Sequence, residues 1–189
     1  MRNKEKPALN DKILVDALQK LEDGTSWSEI SMVDVRGFDS KQELFTALFL
    51  RLDRYVEQEI THHIFSEAPR DRIFEVLMIR FDALNEYGDA YRQLFYQTFK
   101  DPHLFRTALP QFHASMDVML RLADLNGRDG QGIMPLRTGA IALVYLNAVR
   151  VWLNDHTDDM AKTMAELDRG LSRLDKAIDF IPEVFRQFI

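Results

Sequence analysis

The chain has 189 residues, enough to bury one sizeable core or a compact domain with a small appendage. Twenty-four Lys and Arg against thirty Asp and Glu leave a charge of −6, which rules out a general polyanion-binding surface and confines any nucleic-acid contact to a local patch. The absence of cysteine excludes disulfides, thiolate zinc sites, Fe–S clusters and a cysteine nucleophile, and a 46% hydrophobic content with only eight Gly and six Pro favours a packed helical body.

The first ten residues, MRNKEKPALN, lack the apolar run of a signal peptide, and no apolar run reaches the length of a membrane span, so a soluble cytoplasmic protein is expected. A first helix is predicted over about residues 10–22, with Ile13, Leu14, Ala17, Leu18 and Leu21 on one stripe and Gly24 as its stop. Ser26 to Glu29 has the pattern of a capping box and predicts a short helix through Ile30 and Val33. A second box, Ser40 to Glu43, opens a long helix carrying Leu44, Leu48, Leu52, Tyr55 and Val56.

Ile73, Leu77, Phe81 and Leu84 continue the helical spacing, and Asp89 is a candidate N-cap for a helix bearing Leu94, Phe95, Thr98 and Phe99. Residues 103–125 form a helical stretch with a kink expected at Pro110, because proline removes a backbone donor. Residues 126–135, NGRDGQGIMP, are expected to form a loop. Beyond them 136–153 is apolar almost all round, as in a helix packed on more than one side, and Met160, Met164, Leu167, Leu171 and Leu174 mark the next helix. Pro182 opens a last amphipathic segment, with Ile181, Val184, Phe185, Phe188 and Ile189 on one face. An all-α protein of roughly nine helices is expected.

Little in the inventory supports catalysis. A phosphate-binding glycine loop and an HExxH zinc motif are both missing, and no serine stands in a Gly-x-Ser-x-Gly elbow. The five histidines include no pair at the four-residue spacing of helical metal ligands. Glu59 and His63 have that spacing, which an ordinary solvated helix face also explains. No metal, cofactor or enzymatic activity is expected.

Two stretches carry resemblances. The run from Lys12 to Val35, with Gly24, Trp27 and the ending Met32-Val33-Asp34-Val35, followed by Phe38-Asp39-Ser40-Lys41, resembles the N-terminal domain of the TetR family of transcriptional regulators. That resemblance covers about residues 10–52 and implies a helix-turn-helix head over 1–54 and a helical ligand-binding and dimerisation body over 55–189. It also implies a homodimer that binds operator DNA under the control of an apolar small molecule. The departure from the pattern is large: only Arg36 and Gly37 separate Val35 from Phe38, roughly a dozen residues fewer than a turn and a recognition helix require. Across 1–54 there are nine Lys or Arg and ten Asp or Glu, so the head is near neutral. Its candidate DNA contacts are Ser40 and Lys41 at the start of the long helix, and Lys4 and Lys6 in a basic arm.

The second stretch, 142–171, is similar to the C-terminal region of the coenzyme Q biosynthesis lipid-binding family. The shared frame is Val144-Tyr145, Trp152-Leu153, Asp155, Asp159, Thr163 and Leu167-Asp168-Arg169. In the TetR family the last two helices of this region pair as a four-helix bundle. The candidate dimer interface is accordingly Tyr145, Val149, Trp152, Met164, Leu167 and Leu171. Asp155 and Asp159 flank a helix start, where capping accounts for them.

Both resemblances also imply a ligand cavity in the aromatic-rich middle, and its candidate lining is Phe74, Phe81, Tyr91, Phe95, Phe99, Phe112 and Met116. Such walls suit an apolar or lipid ligand. The terminal segment 181–189 is expected to dock on the body or a second subunit. Membrane-surface binding is less favoured, since Arg186 is offset by Glu183. The leading expectation is a bacterial TetR-type regulator, and the alternative is a non-DNA-binding lipid or isoprenoid accessory protein of the coenzyme Q type.

Overall fold

The computed structural model describes the backbone of residues 5–31, 35, 37–61, 68–125 and 134–179. Among these residues there is no strand and there are seven α-helices: α1 (Glu5–Glu22), α2 (Lys41–Ile60), α3 (Pro69–Asn85), α4 (Gly88–Lys100), α5 (Pro102–Leu122), α6 (Met134–Trp152) and α7 (Ala161–Asp179). None of these helices is long and apolar enough to cross a membrane.

The count of seven corrects the expected nine. Segment 181–189 lies outside the described residues. The expected helix after Ser26 is instead a single turn at 27–29. Its capping interaction does form, with the Ser26 amide donating to the Glu29 carboxylate at 2.9 Å, and that bond draws the Glu29 pKa below its ordinary value. The turn is not extended. The carbonyls of Trp27 and Ser28, which a continuing helix would offer to amides four residues on, accept hydrogen bonds from the Lys41 ammonium at 3.0 and 2.9 Å.

Helix α1 starts five residues earlier than its apolar stripe suggests, because Pro7 falls in the first turn, where no amide is needed. It ends in a Schellman motif. The Thr25 amide reaches the Lys20 carbonyl at 2.9 Å and the Gly24 amide reaches Leu21 at 3.1 Å, with Gly24 at φ +94°. Helix α5 ends the same way without glycine: Leu125 bonds to Leu120 at 2.9 Å across Asp124, which takes φ +53°. It runs unbroken through Pro110.

Helix α4 corrects the expected cap. Its N-cap is Tyr87, with no side-chain capping bond, and Asp89 lies inside the first turn. The capping acceptor comes from another helix: the Glu22 carboxylate accepts from the Ala90 amide at 2.9 Å.

The chain divides into two compact units, residues 1–56 with 80–111, and residues 57–79 with 112–189. In the first, α1 packs on α4 around Leu14, Leu18, Leu21, Leu44, Leu48, Leu52, Leu84, Tyr91 and Leu94, all at most 1% exposed. In the second, α6 packs on α7, with Tyr145, Val149 and Trp152 of α6 and Leu167 and Leu171 of α7 buried. Each such side chain contributes roughly 1.5–3 kcal/mol through removal from water.

Candidate functional site

At the start of α2, Ser40 and Lys41 are occupied by local structure. The Ser40 hydroxyl accepts from the Glu43 amide at 3.1 Å, and the Glu43 carboxylate accepts from the Asp39 amide at 2.6 Å, so the predicted box caps the helix. The Lys41 ammonium, besides its two carbonyl bonds, lies 5.8 Å from the centre of the Trp27 ring. Gln93 of α4 completes this knot. Its side-chain oxygen accepts from the Trp27 amide at 3.0 Å, and its nitrogen donates to the carbonyls of Thr25 and Leu21 at 3.1 and 3.3 Å. Lys4 lies outside the described residues, and of Lys6 only the backbone within α1 is described.

The aromatic residues expected to line one cavity are divided between the two units. Phe81, Tyr91 and Phe95 are buried in the first, and Phe99 there is 57% exposed. Phe49 sits edge-on to both Tyr91 and Phe95, with centroids 6.0 and 5.4 Å apart, and Phe45 links this cluster to Trp27. The Tyr91 hydroxyl donates to the Leu48 carbonyl at 3.1 Å, and burial holds its phenol well above the ordinary pKa, so it remains a neutral donor. Phe74, Phe112 and Met116 belong to the second unit. Phe112 stacks on Tyr145 at 6.0 Å, Met116 is fully buried, and Phe74 borders a shallow depression with Met164 and Asp168.

A cleft of about 550 Å³ lies elsewhere, in the second unit. Its walls are Pro69, Arg70 and Ile73 of α3, Leu120 and Leu125 around the end of α5, Leu136, Arg137, Ala140 and Ile141 at the start of α6, and Leu171, Leu174, Asp175 and Ala177 of α7. None of the seven aromatic and methionine candidates lines it. Its apolar walls are aliphatic, and the Schellman turn at Asp124 is what brings Leu120 and Leu125 together. The volume falls within the roughly 300–1,000 Å³ of small-molecule sites. Arg70 is an ion-pair partner of Asp168 and also donates to Ser172 at 3.0 Å, whereas among the described residues Arg137 donates to the Leu125 carbonyl alone, at 3.4 Å. Among the described residues no group of three His, Asp or Glu could hold a metal.

Of the candidate interface residues, Tyr145, Val149, Trp152, Leu167 and Leu171 are at most 3% exposed within the single chain and form the contact between α6 and α7. Met164 is 42% exposed. The outer face of α6 instead presents Leu136 and Leu143, 68% and 66% exposed.

Two charged residues that the sequence reading passed over make a buried ion pair, Arg80 of α3 with Asp53 of α2, at 2% and 6% exposure. The signal was available. Arg80 occupies a stripe position between Leu77 and Leu84, and Asp53 stands four residues after Phe49 and three before Val56.

No protein-family model matches the chain, and no curated protein matches it in sequence. Among solved structures it is similar to the TetR transcriptional regulator from Nitrosomonas europaea ATCC 19718, at 21% identity and a TM-score of 0.69. The match covers 87% of this chain and 97% of that one. The chain has a TetR-like fold. Within this TetR-like frame several C-terminal polar residues have structural work: Asp155 and Thr163 bond to each other, Asp159 caps Ala161 at 3.2 Å, and Asp168 holds Arg70.

Proposed function

We propose that the protein is a TetR-type transcriptional regulator that acts as a homodimer and responds to an apolar ligand. The observation that carries this reading is the fold correspondence, which spans 97% of the chain of a TetR regulator. In this reading, ligand binding shifts the population of helix arrangements and so the position of α2, which begins at the head with Ser40 and Lys41. The dimer uses the outer faces of α6 and α7, where Leu143 and Met164 are exposed. The 1–54 head is the proposed DNA-facing part.

A specific observation favours the second reading, an accessory lipid-binding protein that does not bind DNA. Only Arg36 and Gly37 lie between Val35 and Phe38, and Lys41 is committed to Trp27 and Ser28 rather than directed outward. Fluorescence anisotropy with fragments of the gene's own upstream DNA, across a salt series, separates the two. The regulator reading requires affinity that falls steeply with salt, as phosphate contacts dictate. A dimer that retains lipid in native mass spectrometry but shows no salt-sensitive DNA binding establishes the second reading. Under the regulator reading Lys41→Ala lowers affinity for all fragments alike; in the second it lowers thermal stability only.

A further inference from the structure

We propose that the cleft of the second unit binds a single-chain amphiphile with a carboxylate head, the head seated on Arg137. The inference takes from the proposed function only that the protein has a ligand, and it gives that ligand a chemical class. The walls decide the tail. Ile73, Leu120, Ile141, Leu171 and Leu174 are all aliphatic, so the cleft offers no flat ring face for stacking and fits a flexible hydrocarbon chain.

The charges decide the head. Arg70 is half-buried and already neutralised by Asp168 and Asp71, with Ser172 taking a further donor. Asp175 is exposed to water, which screens it. Arg137 is half-buried, and among the described residues its planar fork of five donors makes no ion pair and one long bond, to the Leu125 carbonyl. It also stands in the first turn of α6, where the helix dipole reinforces its positive charge. A carboxylate can accept two parallel bonds from such a fork, which an alcohol head cannot.

The test is isothermal titration calorimetry of the full chain with dodecanoate and with dodecanol at neutral pH. Dodecanoate should bind one per chain and about tenfold or more tighter than dodecanol, the factor expected for a charge-assisted pair over a neutral one. Arg137→Gln should bring dodecanoate affinity down to about that of dodecanol, while Ala140→Trp should weaken both by filling the cleft. Equal affinity for acid and alcohol overturns the proposal, as does an Arg137→Gln variant that binds dodecanoate like the parent. Dodecanoate binding seen only when Phe185→Asp and Phe188→Asp are introduced together also overturns it, because the occupant is then the chain's own terminal segment. Arg137-dependent binding that leaves DNA affinity unmoved supports the inference and removes the regulator reading. A DNA response to another ligand without Arg137-dependent dodecanoate binding does the reverse.

Discussion

Asp155 shows how one side chain can hold two elements together. It sits after α6 at 1% exposure, and its two oxygens accept from the Thr157 hydroxyl at 2.7 Å and from the Thr163 amide and hydroxyl at 3.0 and 2.9 Å. Burial works to raise its pKa, but the hydrogen bonds from Thr157 and Thr163 outweigh it and bring the carboxyl from 3.8 down to about 2. Because the folded-state value lies below the unfolded one, the ionised group stabilises the fold at pH above 3.8, and that contribution is lost as pH falls toward 2. Asp155→Asn should therefore flatten the acid limb of a pH-dependent urea-denaturation series. Asp155→Ala should cost about 2–3 kcal/mol at neutral pH, as expected for a lost buried cap with charge-assisted bonds. An unchanged acid limb would show that another group titrates there. The buried pair of Arg80 and Asp53 behaves differently. Either Arg80→Met or Asp53→Ala alone should destabilise by roughly 3–5 kcal/mol by stranding a charge, while Arg80→Met with Asp53→Leu should restore most of the loss. A double variant as unstable as the singles would mean the pair is worth more than its apolar replacement.

At the scale of elements, α6 and α7 approach closely at Gly170. A Cβ added at Gly170 would meet the Val144 side chain at 2.8 Å, and Val144 is β-branched and slow to move aside. Gly170→Ala should therefore destabilise the chain by about 1–3 kcal/mol in thermal unfolding, despite its better helix propensity, and Gly170→Ala with Val144→Ala should be milder. Most of the helical periods are readable in the sequence as one apolar stripe, and α6 as a run apolar almost all round. The short helix after Ser26 was not excluded by any residue there. What prevents it is Lys41, thirteen positions downstream, taking the Ser28 carbonyl. Likewise the cap of α4 could not be found next to it in sequence, since Glu22 is 68 residues from Ala90.

For the whole molecule, periodicity showed which faces are apolar but not what covers them. The stripes of Tyr145, Val149 and Trp152 and of Leu167 and Leu171 satisfy each other within one chain. The proposed dimer therefore rests on the outer residues, and Leu143→Asp with Met164→Lys should convert it to monomer in sedimentation equilibrium, with the helical circular-dichroism signal kept. A dimer that persists would place the interface elsewhere.

The helical class and the apolar faces of most helices are legible in the sequence, because they follow from residue periodicity and local capping. Tertiary structure alone decided the rest. It divided the aromatic candidates between two units, turned the expected interface stripe inward, tied Lys41 to Trp27 and opened an aliphatic cleft beside Arg137. The physical reason is that an apolar stripe is indifferent to its partner: burial against a neighbouring helix, a ligand or a second chain removes the same surface from water. Charge and hydrogen bonding are not indifferent, and their partners here lie as far apart as Arg70 and Asp168.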